Sequence, residues 1–213
     1  MVPEKALTST SDLTRFKLYL IFFVHMKREL RVIGIDDAPF DKFDPLQKYV
    51  LVVATVFRGG GFMDGMLSCH VEKDGEDATL KIIDMINECK FKPQLQAVFL
   101  DGIAVAGFNV INPVSVHKET GIPVIIVIRD FPDYKKIFSA LEKLGMQKKI
   151  GIIKKMPKPV KIHDVYVQHI GISKEQTKKL LKICCTHSNL PEAIRVAHLV
   201  ASGLVEGQSR GRA

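Results

Sequence analysis

Three side chains that could carry acid–base or metal chemistry stand at the ends of apolar segments. Asp36 follows "LRVIGI", Asp101 follows "LQAVFL", and His169 lies near the end of "VYVQHI". A carboxylate at the end of a buried strand is costly unless a cation or hydrogen-bond donors satisfy it. If the strands that end at Asp36 and Asp101 are neighbours, the two carboxylates lie close together, and a divalent ion would remove the repulsion between them. The expected ion is Mg²⁺, with Mn²⁺ as the alternative, since Mg²⁺ keeps several waters and needs few protein ligands.

A metal held in this way points to phosphodiester hydrolysis, because it can activate water and stabilise the leaving oxygen. His169 could orient or deprotonate that water, or protonate the leaving group. A third carboxylate is expected from "EKDGEDAT", where Asp77 is favoured because it opens a predicted helix and Asp74 is the alternative. Arg129, after "IPVIIVI", would offset charge at the scissile phosphate. Aspartates at strand ends are also common turn residues, so these side chains support a catalytic site only as a group.

Composition favours a polyanionic partner and an intracellular setting. The net charge is +8, from 31 Lys and Arg against 23 Asp and Glu, which favours nucleic acid. The four cysteines show no C-x-x-C spacing and predict reduced thiols, hence a cytoplasmic protein. The apolar run "LYLIFFV" is far short of the ~20 residues that a membrane helix needs, so no membrane association is expected.

The elements that must position these residues follow a consistent order. A length of 213 residues with 46% hydrophobic content favours one α/β domain, assigned to residues 26–213, after an N-terminal extension of residues 1–25 that has no assigned role. Three strands form an antiparallel meander whose second turn lies at three glycines, residues 59–61. Strands then alternate with helices. This order predicts a ribonuclease H-like fold, an α/β mixed sheet with helices on both faces.

Periodicity also predicts individual elements and their buried residues. "KKIGIIKK" and "VYVQHIG" are expected to be strands on either side of a proline-containing turn. The helix in "DATLKIIDMINECK" is expected to bury Leu80, and the helix in "DYKKIFSALEKLG" to bury Leu144. Ser173 and Gln176 predict a capping box at the start of "SKEQTKKLLKICC".

The same segments resemble the endonuclease V superfamily, and more closely its mainly archaeal branch, the endonuclease dU family. The resemblance runs from about Leu30 to the C-terminus. "IGIDDAPF" resembles the first-strand motif and carries Asp36 over as a metal ligand, and "VFLDGIAVAGFNVINP" resembles the second acidic motif and carries Asp101. "IPVIIVIRD" resembles a strand in which endonuclease V has a lysine at the position of Arg129, and "QHIGISKEQTKKL" supports His169.

The most specific signal is "LPEAIRVAHLVASGL", whose order Pro-Glu-x-x-Arg-x-Ala-His, ending at His198, recurs in that superfamily. The Tyr-x-x-Pro wedge and Phe-Arg-Glu segment of endonuclease V are replaced here by "RGGGFMDG" and "VEKDGEDAT". The resemblance implies a Mg²⁺-dependent endonuclease that nicks DNA at a deaminated base, in this branch deoxyuridine. The alternatives are cleavage at deoxyinosine or at inosine in RNA, since no residue here decides the 2′-hydroxyl question, and a non-catalytic nucleic-acid-binding protein.

Several residues are candidates for direct contact with nucleic acid. In "GIAVAGFNV", Gly102 and Gly107 would allow close backbone approach to a base, which the aromatic ring could stack on and the amide could read. Basic residues of "KKIGIIKKMPKPVK" would follow the phosphate backbone. The competing interpretations are an aromatic side chain packed in the core and a solvated lysine face. The predicted contacts are Arg58, Gly107, Phe108, Asn109, Lys154, Lys155 and Arg195.

Overall fold

A computed structural model describes residues 30–209 of the chain, so the extension predicted at residues 1–25 lies outside the described residues. The strands are β1 (Arg31–Asp37), β2 (Tyr49–Arg58), β3 (Phe62–Glu72), β4 (Leu95–Asp101), β5 (Ala104–Val105), β6 (Asn109–Val110), β7 (Val124–Ile128), β8 (Val160–Ile162) and β9 (Val165–Ile170). The helices are α1 (Ala78–Asn87), α2 (Pro113–Thr120), α3 (Tyr134–Lys143), α4 (Gln147–Lys154), α5 (Lys174–Cys184) and α6 (Glu192–Glu206), with a 3₁₀ turn at Lys92–Gln94.

Seven strands form one mixed sheet in the order β3-β2-β1-β4-β7-β9-β8. β1, β2 and β3 are the predicted antiparallel meander. β1, β4 and β7 are parallel, β9 runs antiparallel to β7, and β8 runs antiparallel to β9. β5 and β6 form a separate small hairpin after β4. The carboxyl ends of β1, β4 and β7 therefore meet at one edge of the sheet, which is where ligand sites form in α/β sheets.

Both faces of the sheet are covered by helices. Ile33 and Ile35 of β1 point to one face, where they pack with buried residues of α1 and α2. Val32 of β1 and Phe99 of β4 point to the other face and pack against α5 and α6. Because strand side chains alternate between faces, a central strand buried on both sides reads as the continuous apolar run seen in the sequence.

The segment "KKIGIIKK" is helical and not the predicted strand. Ile150 and Ile153, three residues apart, are both buried with Leu141 of α3, which is the spacing of one helical face. Lys149 is also buried, and its Nζ donates to the carbonyl oxygen of Asp74 at 2.7 Å. The apolar residues of this short segment fit both the strand period and the helix period. Packing against α3 favours the helix.

Two predicted core residues lie on the surface instead. Leu80 is 63% exposed because α1 buries Ile82, Ile83 and Ile86, and Leu144 is 55% exposed just beyond α3. The capping box at Ser173 and Gln176 is confirmed at the start of α5. All four cysteines are free thiols, and none of the helices between residues 30 and 209 is long and apolar enough to cross a membrane.

Candidate active site

Asp36 and Asp101 lie side by side at the carboxyl ends of β1 and β4. The parallel pairing of these strands sets Ile35 opposite Leu100, so the next residue on each strand is an aspartate. Both carboxylates lie on the α6 face, since they follow the alternation of Val32 and Phe99. The structure thus brings together the two metal ligands predicted from the sequence.

α6 contributes a histidine to Asp36. Nδ1 of His198 lies 2.9 Å from Oδ2 of Asp36, and Oδ1 of Asp36 accepts the backbone N–H of Asp37 at 2.9 Å. An ionised carboxylate only accepts hydrogen bonds, so Nδ1 of His198 carries the hydrogen. The Asp36 side chain is only 8% exposed, and this contact gives it a donor that partly offsets its burial.

α6 packs directly on the backbone of β1 because the strand residue at the contact is a glycine, Gly34. A Cβ placed on Gly34 would lie 2.3 Å from the carbonyl carbon of Ala193. Thr55 of β2 adds a hydrogen bond from its hydroxyl to the Ala193 oxygen at 2.7 Å. These contacts fix the first turn of α6 on the sheet and place His198, one and a half turns later, over Asp36. His198 was part of the most specific sequence motif but had no assigned role.

Asp101 is held by Arg129, the residue after β7. Its Oδ2 lies 3.1 Å from Nη2 of Arg129 and its Oδ1 3.4 Å from Nη1. Burial first, and then the negative charge of Asp36, raise the pKa of Asp101 to about 6, against the opposing effect of Arg129. The site therefore concentrates more negative charge than one arginine neutralises.

The third carboxylate at this edge is Asp37, and not the predicted Asp77 or Asp74. Asp37 follows Asp36 on the opposite face of β1, where its Oδ2 accepts the backbone N–H of Ala106 at 2.7 Å. Burial first, and then the charges of Asp36 and Asp101, raise the pKa of Asp37 to about 6. The doubled aspartate is visible in the sequence, but only its first member, Asp36, was predicted as a metal ligand.

Asp77 and Asp74 instead hold the β5-β6 hairpin. Oδ1 of Asp77 accepts from Nδ2 of Asn109 at 2.7 Å and from the backbone N–H of Glu72 at 3.1 Å. Oδ1 of Asp74 accepts the backbone N–H of Phe108 at 2.7 Å. Oδ1 of each carboxylate is thus engaged in fixing the backbone, and a metal-ligand role for either aspartate stays a prediction.

The loop predicted to read a base is also structural in large part. Asn109 is fully buried, its Oδ1 accepts from the N–H of Ala78, and its Nδ2 donates to Asp77 and to the oxygen of Glu72. Both N–H donors of its amide are therefore used, and the buried side chain does not reach the surface to read a base edge. Phe108 packs against the cluster between α3 and α4. Gly107 has φ +85°, and an added Cβ would lie 2.4 Å from Oδ1 of Asp74.

His169 is not brought to the two aspartates, because β9 runs antiparallel to β7. The register pairs His169 with Ile125, whereas Asp101 pairs with Val127. Two strand spacings and two residues of rise place the His169 backbone about 12 Å from Asp101. Its Nδ1 lies 2.8 Å from the carbonyl oxygen of Ile172 before α5. His198 occupies the place near the carboxylates that the sequence analysis gave to His169.

The basic residues predicted to contact nucleic acid do not form one cluster in the structure. Arg58 lies at the opposite end of the sheet, where it pairs with Asp64 at 3.1 Å and covers the ring of Phe62. Arg195 pairs with the buried Glu192 of its own helix at 2.7 Å. The two lysines at the end of α4, Lys154 and Lys155, are exposed.

The donor set at Asp36 and Asp101 fits an ion that keeps part of its water shell. Within residues 30–209, no three His, Cys, Asp or Glu side chains converge as a closed metal cage. Mg²⁺ is commonly bound by one or two carboxylates plus waters and substrate phosphate, which is what two adjacent carboxylates offer. Burial and then repulsion from Asp36 raise the pKa of Asp101, and a cation would relieve that repulsion.

Comparison with known proteins finds relatives that match most of the chain. The profile of the family described as Endonuclease dU matches residues 28–205. UPF0215 protein Mbar_A0619 of Methanosarcina barkeri is 42% identical over 196 residues, covering 89% of this chain and 97% of the relative. UPF0215 protein MJ1150 of Methanocaldococcus jannaschii is 40% identical over 184 residues, covering 85% and 98%.

Solved structures confirm the ribonuclease H-like fold. A protein of unknown function from Archaeoglobus fulgidus superposes with a TM-score of 0.77 and 36% identity, covering 83% of this chain and 99% of that one. Endonuclease V of Ciona intestinalis, solved in complex with a 24mer DNA containing an inosine, gives a TM-score of 0.54 and 14% identity, covering 92% and 99%. The match over residues 28–205 confirms the resemblance seen in the sequence, and the chain belongs to the endonuclease dU family.

Proposed function

We propose that this protein is a Mg²⁺-dependent endonuclease that nicks DNA next to a deaminated base, with deoxyuridine as the expected lesion. The observation that carries the proposal is the register of β1 and β4, which sets the buried Asp36 beside Asp101 at the carboxyl edge of the sheet. Family membership supports a nuclease. The family description names the deoxyuridine lesion, and Ciona endonuclease V, of the same fold, was solved on DNA.

Asp36 and Asp101 are the residues that would hold the ion. A bound divalent cation supplies activation of water and stabilisation of the leaving oxygen of a phosphodiester. Both carboxylates must be ionised for this purpose, so the pKa of about 6 at Asp101 predicts weaker metal binding below neutral pH. Asp37, beside them, adds negative charge at the same edge.

His198 and Arg129 set the geometry of these carboxylates. His198 donates to Oδ2 of Asp36 and so fixes the rotation of that carboxylate. Arg129 contacts both oxygens of Asp101, and its side chain is 45% exposed, so a substrate phosphate could also reach it. A planar guanidinium suits bidentate contact with phosphate.

Nucleic acid is the partner that the charge favours. The chain carries a net charge of +8, and the exposed Lys154 and Lys155 at the end of α4 stay candidates for phosphate contact. Cytoplasmic localisation also stays a prediction.

A nicking assay tests the proposal. Labelled duplexes carry a single deoxyuridine, deoxyinosine or ordinary base, and an RNA carries a single inosine; each is incubated with Mg²⁺, with Mn²⁺ and with EDTA. The variant is Asp101→Asn, which keeps the shape of the side chain and removes its charge. The matched control is Asp84→Asn, at an exposed position in the middle of α1.

Metal-dependent nicking at deoxyuridine that is lost in Asp101→Asn and kept in Asp84→Asn is the expected result. Nicking confined to deoxyinosine or to RNA inosine would replace the lesion but keep the site. No cleavage of any substrate, with retained DNA binding, would leave a non-catalytic nucleic-acid-binding protein and refute the proposed function.

A further inference from the structure

The loop between β1 and β2 presents large apolar side chains to solvent beside the candidate site. Of the large hydrophobic residues between 30 and 209, Phe43 and Leu46 are the most exposed, at 92% and 86%. The loop, residues 38–48, leaves the sheet directly after Asp37. It therefore projects from the same edge as the three aspartates, and the free energy cost of exposing these side chains calls for an explanation.

Hydrogen bonds within the loop, and from Lys73, hold it in the conformation that exposes these side chains. Oδ1 of Asp41 accepts the N–H of Phe43 at 2.8 Å, and Oδ1 of Asp44 accepts the N–H of Leu46 at 2.8 Å. Lys73 at the end of β3 donates to the carbonyl oxygens of both aspartates. Two successive Asx turns tied to a lysine hold the backbone in one shape and direct Phe43 and Leu46 outward.

The base of the loop is anchored in the core. Phe40 packs against the hydrophobic cluster under α1 and α2, and the N–H of Ala38 donates to the oxygen of Leu51 at 2.8 Å. The loop thus has a partly buried aromatic residue at its root and an exposed one at its tip. Because its root is anchored, the loop can contact a binding partner without collapsing onto the protein surface.

Phe43 differs from two other exposed phenylalanine rings, Phe62 and Phe131. The guanidinium of Arg58 covers Phe62 at 4.5 Å, and the ring of Phe131 lies 5.3 Å from that of Tyr166. A ring that is 92% exposed leaves its faces open to an incoming flat group. Lys42 and Lys48 are exposed on the same loop and can contact phosphates on either side of such a group.

We propose that the loop of residues 38–48 stacks Phe43 on an unpaired base next to the lesion and so keeps the DNA duplex open at the aspartates. This inference rests on the proposed function and deepens it. A nucleobase offers a flat face at every sequence, and stacking on an aromatic ring is the usual way to hold a base out of its pair. A deaminated base pairs poorly, which lowers the cost of the opening that the loop would maintain.

The test compares two substrates with the same deoxyuridine, one in a perfect duplex and one in a bubble of unpaired bases. Phe43→Ala is expected to reduce the rate of duplex nicking at least about fivefold, the lower limit of a lost base-stacking contact. The rate on the bubble should stay within about twofold of wild type, since the bubble is already open. Phe62→Ala, an exposed aromatic at the opposite end of β2 and β3, is the matched control and should leave both rates unchanged.

A second measurement needs no cleavage and separates this inference from the proposed function. Binding without divalent metal to a duplex with 2-aminopurine beside the deoxyuridine should raise its fluorescence for wild type and Phe62→Ala, but not for Phe43→Ala. If no protein cleaves but this difference is seen, the nuclease fails and the loop inference stands. Equal nicking by Phe43→Ala on the duplex, or an equal loss on both substrates, would overturn it. So would a wild-type dimer that Phe43→Ala converts to monomer in sedimentation, since the loop would then bind a second copy.

Discussion

Replacing Asp101 with asparagine should stabilise the metal-free protein while abolishing nicking. The pKa of Asp101 is about 6 in the folded protein, against an ordinary value of 3.8. A group whose folded-state pKa is raised favours folding only at low pH. Its contribution is fully present below about 3.8 and is lost as the pH rises through about 6. At pH 7.5 the ionised Asp101 therefore opposes folding.

The magnitude follows from the difference between the two pKa values. About two pH units correspond to about 3 kcal/mol at most, and this net figure already includes the favourable contact with Arg129. Asparagine has the same shape and no charge, so Asp101→Asn should recover about 1 to 3 kcal/mol at pH 7.5. For a protein of this size, that raises the midpoint of thermal unfolding by several degrees, at about 2 to 4 °C per kcal/mol.

Thermal unfolding in EDTA at pH 7.5 and pH 4.5 measures the effect, with Asp84→Asn as the exposed control. The gain should shrink to about a third at pH 4.5, because Asp101 is protonated in the folded protein there. Added Mg²⁺ should stabilise wild type at pH 7.5 and have little effect on Asp101→Asn. A variant that is less stable than wild type at pH 7.5, or a gain that does not depend on pH, would refute the reasoning.

Two further substitutions test the packing around the site. Gly34→Ala should destabilise the fold by about 1 to 3 kcal/mol and reduce nicking, because its Cβ would meet the backbone of Ala193 at 2.3 Å and displace α6. Gly203→Ala on α6, where nothing lies within 4 Å of the new Cβ, is the control, and equal denaturant midpoints for the two would contradict this view. Asn109→Ala should cost about 1 to 3 kcal/mol by leaving buried backbone groups unpaired, whereas Asn87→Ala at the exposed end of α1 should be neutral in the same urea titration.

The order of the elements could be predicted because each central strand appears in the sequence as a continuous run of apolar residues. β1, β4 and β7 each read as such a run, and the glycines at 59–61 marked the hairpin. The failures occurred where an apolar run was short. The segment around Ile150 and Ile153 fits either period, and only its contact with Leu141 makes it a helix. Leu80 shares its helix with three better-placed isoleucines, a choice made by tertiary contacts.

The site was predictable as far as it depended on strand ends. Asp36 and Asp101 end apolar strands, and parallel pairing brings them together. His169 was predicted to lie beside the aspartates, but the sequence of a single strand does not show in which direction it runs in the sheet. β9 runs antiparallel to β7, and this places His169 away from the edge that carries Asp36 and Asp101. His198 meets Asp36 across 162 positions of sequence, a contact decided by the docking of α6 on Gly34.

That docking has a consequence for how the site comes into existence. The three aspartates belong to the first half of the described chain, but the helix that holds Asp36 is the last of it. A chain terminated before Glu192 would contain every candidate metal ligand and yet lack the surface that covers Val32, Gly34 and Phe99. A copy that lacks α6 should therefore not hold Asp36 in place and should show none of the nicking proposed for this protein.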